Sequence, residues 1–289
     1  MYINRLKNGV GRQSDYIAPR DGIPLLFSRE FALPDNQVPQ SVKDGGVKLR
    51  FYPNTYVIDR RTDDGELVLK DICGHEVELP RTIAMFKPDK APPEIIINGF
   101  GLFINKRAQE ALSEKDKVAV QQIISHFKKM REVDPQKSAR HELRHYQNSQ
   151  LFAAVHTADT ALNDNDYLRT RFMDEISATI NEGISEKVHN REEGLQYVKE
   201  QVDCWMSNPD RQSYYAPHGD FQHQLGAYQN ETENRDTGKS AEMYKQIFKN
   251  FLTFEICGKE MDLSAAIAPD FKMPRAKLAI AAHYQGISR

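Results

Sequence analysis

Five residues, His141-Glu142-Leu143-Arg144-His145, have the types and the spacing for metal-assisted hydrolysis. On an α-helix, residues four apart lie on one face. Two imidazoles at that spacing point at one metal ion. A glutamate directly after the first histidine reaches a water on the open side of that ion and can act as its general base. The ion suited to this H-E-x-x-H pattern is zinc, which takes neutral imidazole nitrogens readily.

The chemistry needs a rigid helix, and the sequence supplies one. Asp134-Pro135 precedes the motif, with Asp a favoured N-cap and Pro favoured at the first helical position. From there to about Ala161 the chain has no Gly and no further Pro. Leu143, Tyr146, Leu151, Ala154, Val155 and Ala158 form its partly apolar stripe.

Catalytic zinc usually takes three protein ligands, so a third is needed. The solution that adds a histidine six residues after the second, with a glycine between, is absent here. Those positions hold Leu151 and Asn148. Glu175 is the leading candidate, on a second helix expected over Asp166–Val188 with Phe172, Ile176, Ile180 and Ile184 as its buried stripe. Glu182, seven residues on, is the runner-up; Asp174, His156 and Asp159 are further alternatives. Glu175 also has a purely structural reading, as a helical carboxylate paired with Arg171.

H-E-x-x-H followed some tens of residues later by Glu175-Ile176-Ser177-Ala178, an E-x-x-A, resembles the gluzincin branch of the zinc metallopeptidases. The resemblance covers about fifty residues. It implies Zn2+ as cofactor, His141, His145 and Glu175 as ligands, Glu142 as catalytic base, and Ala178 as the small residue that lets two helices approach closely. The substrate it implies is a protein or peptide. A non-catalytic zincin-like binding protein and a zinc hydrolase acting on a non-peptide amide are the competing readings. Tyr215, His218 and His223, in a polar turn-rich stretch, are candidates for stabilising an oxyanion.

The expected fold is α+β: an N-terminal antiparallel sheet with a mainly helical, zincin-like catalytic portion. Residues 1–46, rich in Pro, Gly, Asp and Asn, read as an irregular arm with one short strand at Pro24–Ser28. Residues 47–105 read as a small region of hairpins, with strands near 48–52, 55–58, 66–69, 76–79, 94–97 and 101–104, and a break at Pro53-Asn54. The 94–104 segment is a candidate edge strand for binding a substrate backbone, or an ordinary sheet strand. Residues 106–289 read as mainly helical, with one helix over Lys106–Arg131 running almost straight into the motif helix, another over Glu192–Ser207 and one over Ala241–Phe254. Glu255-Ile256-Cys257-Gly258-Lys259 echoes Asp71-Ile72-Cys73-Gly74-His75.

Composition adds bounds. The 289 residues carry 39 basic and 41 acidic side chains with no long basic run, so a nucleic-acid partner is not expected. No stretch of 18 apolar residues is present and the N-terminus lacks an apolar core, so neither a membrane span nor an ordinary signal peptide is expected. Three scattered cysteines, Cys73, Cys204 and Cys257, do not make a disulfide framework. A cytoplasmic protein is the expectation; export by a route that reads no hydrophobic signal would leave the same trace.

Overall fold

The computed structural model describes residues 11–33, 38–156, 174–207 and 249–267. The fold is α+β, and the chain divides into two compact units, Met1–Tyr146 and Gln147–Arg289. Among the described residues, no helix is long and apolar enough to cross a membrane.

The first unit is built on one sheet of β1 (Gly22–Phe27), β2 (Lys48–Arg60), β3 (Leu67–Asp71), β4 (Ala84–Lys87) and β5 (Glu94–Asn105). Its order is β1-β5-β2-β3, with β4 also on β5. From Ile95 to Ile104 every residue of β5 except Asn98 is buried, the near-continuous apolar run of an interior strand. Gly99 in the middle of β5 is obligatory, because a Cβ there would collide with the Tyr16 hydroxyl and the Phe51 ring. Side chains alternate between the faces. Ile95 and Ile97 join Leu49, Ala139, Leu143 and Tyr146 in one core cluster, while Phe100, Leu102 and Ile104 join Val120 and Phe127 in another.

Several expectations are corrected here. The 94–104 segment is no edge: β2 flanks it on one side, β1 and β4 on the other. The sheet is mixed, because β2 and β5 run parallel from Lys48↔Glu94 to Ile58↔Ile104. The long chain between them, which makes β3 and β4 on the way, provides the crossover that parallel pairing requires. β2 runs unbroken through Pro53-Asn54, since β3 pairs only with Tyr56–Arg60 and the missing N–H of Pro53 costs no bond to β3. The expected strand near 76–79 amounts to a single bridge, Lys70↔Glu76. The short strand expected at Pro24–Ser28 is present as β1, antiparallel to β5, but the stretch around it is not a bare arm: it contributes Phe31, Leu33 and Val38 to the core.

Among the described residues, the sheet is accompanied by α1 (Gln40–Lys43), α2 (Lys106–Glu110), α3 (Glu114–Glu132) and α4 (Pro135–His156). The single helix expected over 106–131 is therefore two. Ser113 starts the second with a capping box, accepting from Asp116 N while Asp116 accepts from Ser113 N. Only Val133 and Asp134 separate α3 from α4, as the sequence indicated.

The second unit contains α5 (174–181), α6 (Ile184–Lys187), α7 (Arg191–Ser207) and a hairpin of β6 (Thr253–Ile256) and β7 (Lys259–Asp262). Gly183 separates α5 from α6. Ile176, Ile180 and Ile184 pack with Val198, Val202, Trp205 and Phe251 in its core. The helix expected to reach Phe254 has given way to β6 by Thr253.

Candidate metal centre

The motif helix begins as its sequence dictates. Asp134 Oδ1 accepts from Gln136 N at 2.9 Å, and Pro135 occupies the first helical position. Ala139, Leu143 and Tyr146, spaced i, i+4, i+7, turn one face of α4 into the core and are 0%, 3% and 9% exposed. Each motif histidine stands two residues from Leu143, roughly 200° around the helix. Packing of Leu143 into the core therefore aims both imidazoles away from it. His141 and His145 are half-buried, and their Nε2 atoms stand 3.0 Å apart. Two nitrogens on one tetrahedral zinc, each 2.0–2.1 Å from it, are about 3.4 Å apart. The rings meet edge to face at 75°, with centroids 4.7 Å apart, so their nitrogens converge rather than stack.

Glu175 lies on α5. On that helix Ile176 and Ile180 are fully buried, and so is Ala178, the small residue of the E-x-x-A pattern. The Ser177 hydroxyl donates to Phe251 O at 2.8 Å and fixes α5 against its own unit's core. Glu175 is half-buried beside this stripe. His141 and His145 lie in the first unit and Glu175 in the second, so the convergence within one unit is that of the two imidazoles, and all three are residue types that could hold a metal ion. Such a set fits the donor chemistry of a divalent zinc-like cation, with three protein ligands of the kinds these sites use.

Of the alternatives for the third ligand, Asp174 is engaged elsewhere: Asn148 Nδ2 donates to its Oδ1 at 2.7 Å. Glu182 belongs to neither of the two metal-competent groups among the described residues. Asp159, Tyr215, His218 and His223 lie outside the described residues, and the His156 side chain does as well. Glu142 is half-buried on α4, directly after His141.

Asn148 is the residue the sequence reading passed over. It lies three residues after His145 and is fully buried. An asparagine inside a helix is a weak helix former, because its amide competes for backbone hydrogen bonds. That was the available signal. Here its amide grips the residue next to Glu175 instead.

No family model, curated protein or solved structure matches this chain.

Proposed function

We propose that the chain is a zinc-dependent metallopeptidase, with His141, His145 and Glu175 as metal ligands and Glu142 as general base. The observation that carries this reading is the convergence of the two Nε2 atoms, 3.0 Å apart, on a capped and core-anchored helix; Glu175 is taken as the third ligand from the E-x-x-A pattern. Three protein ligands leave the fourth position that catalytic zinc keeps for water or substrate. Zinc bound there would supply Lewis acidity, lowering the pKa of a water toward 7 and polarising a carbonyl.

The residues do the rest. His141 and His145 would hold the metal through neutral Nε2 atoms, which would leave their protons on Nδ1. A Glu142 carboxylate oxygen takes the proton from the attacking water and passes it to the leaving amine. The α4 face holding Leu143 keeps the two histidines rigid, which holds both imidazoles ready for the metal.

The test pairs metal analysis with cleavage of a peptide library. Wild type should carry zinc and cut. Glu142→Gln should keep the zinc and lose hydrolysis by about 10²–10⁴-fold. Full activity in that variant removes Glu142 as the base. Wild type that binds zinc yet cleaves nothing favours the binding-protein reading, and cleavage confined to non-peptide amides moves the substrate class.

A further inference from the structure

We propose that the turn Asp71-Ile72-Cys73-Gly74-His75 is a second cation site, binding a thiophilic divalent ion such as zinc through Asp71, Cys73 and His75. One ligand atom from each lies within 4.8 Å of the other two. The turn is internally fixed. Asp71 Oδ1 accepts from both Cys73 N and His75 N at 2.9 Å, and Asp71 N donates to His75 O at 2.8 Å. Gly74 takes φ +86°, a left-handed conformation open to glycine, and so brings His75 back beside Asp71. Its Nδ1 stands 3.3 Å from Asp71 Oδ2, leaving that oxygen and the imidazole to face one point.

The donor set selects the ligand. A thiolate, an imidazole and a carboxylate favour zinc and its neighbours over calcium or magnesium, which prefer oxygen alone. Cys73 is a free, exposed thiol, and the His75 side chain is 78% exposed, so an ion reaches the site from solvent and water completes its coordination. Binding is balanced in protons. The Cys73 thiol gives one proton to solvent, and neutral His75 keeps its proton on the ring nitrogen that does not bind.

The molecule contains its own control. The β6–β7 hairpin repeats much of the sequence as Glu255-Ile256-Cys257-Gly258-Lys259. There Cys257 and Gly258 both take positive φ, 52° and 74°, in a two-residue turn, and a lysine replaces the histidine. Among the described residues that hairpin forms no metal-competent group.

Cobalt(II) titration of the reduced full-length chain separates this site from the α4 histidines, which have no thiolate to offer. A thiolate-to-cobalt charge-transfer band should appear in wild type and persist in His141→Ala/His145→Ala. It should vanish in Cys73→Ser, weaken in affinity by at least about tenfold in His75→Ala, and remain in Cys204→Ser and Cys257→Ser. Zinc should displace the band. Its absence from wild type, or its survival in Cys73→Ser, overturns the proposal without touching the α4 reading.

Discussion

The α4 histidines and the Asp71–His75 turn each bring metal-ligating atoms together, and they do so by opposite means. In the turn, five consecutive residues are held by hydrogen bonds among themselves, two of them to the Asp71 carboxylate, and Cys73 and His75 are exposed. On α4, the imidazoles are aimed by a helix whose other face is committed to the core through Ala139, Leu143 and Tyr146. A ligand set assembled by packing binds metal only while the fold persists, so metal binding and folding are coupled there. A ligand set assembled by one turn is nearly independent of the rest of the chain. Half-burial also strengthens electrostatic interactions at the α4 histidines, which suits chemistry, whereas the greater exposure of Cys73 and His75 suits binding alone.

The largest expected contrast comes from removing a ligand. His145→Ala should abolish hydrolysis and weaken zinc binding at the α4 group by at least about a hundredfold, more than the loss typical of changing a residue that only supports a ligand. The Cys73-dependent cobalt band should be unchanged. If both metal readouts fall together, the two groups are not separate sites. Leu143→Ala comes next. It truncates a side chain that is 3% exposed and should cost about 2–5 kcal/mol of stability. Thermal melts with and without zinc should show the loss, while the turn keeps its cobalt band at temperatures where the chain is folded.

A finer test addresses the Asn148–Asp174 bond. Asn148→Ala removes this hydrogen bond to a carboxylate and should cost about 1–3 kcal/mol. Asn148→Asp should be worse, since it sets two carboxylates against each other. The swap Asn148→Asp/Asp174→Asn restores one donor and one acceptor and should recover most of the zinc affinity. If the singles lower stability and leave zinc affinity untouched, the bond holds the fold and does not position Glu175.

The same contrast explains what could be read from the sequence. The α4 start was legible because Asp134-Pro135 is a local signal, and the histidine pair because a spacing of four has one meaning on a helix. α7 was legible from its own periodicity. The pairing of β2 with β5 was not, because parallel partners are fixed by distant packing and not by the residues between them. β4 escaped because four residues between turns carry too little periodicity to register. The Cys73-Gly74-His75 turn was visible as a turn. Its ligand geometry was not, because it depends on the positive φ of Gly74 and the two bonds to Asp71 Oδ1.

The smallest effect concerns a pair belonging to neither site. Arg60 Nη2 lies 2.8 Å from Asp116 Oδ2 and also donates to Ala111 O, tying β2 to the start of α3. The Arg60 guanidinium, with help from Ser113, holds the Asp116 carboxyl down at about 2. An unfolded aspartate titrates near 3.9. The folded pKa is the lower one, so the stabilisation is fully present above roughly pH 5 and is lost as pH falls from about 4 toward 2. Asp116→Asn removes that titration while leaving an oxygen to accept from Ser113 N. The melting-temperature gap between wild type and Asp116→Asn should therefore be widest near neutrality and close as the solution is acidified. It should shrink in high salt, because the pair is partly exposed. A gap that stays constant across this range would mean that the pair contributes through packing and not through charge.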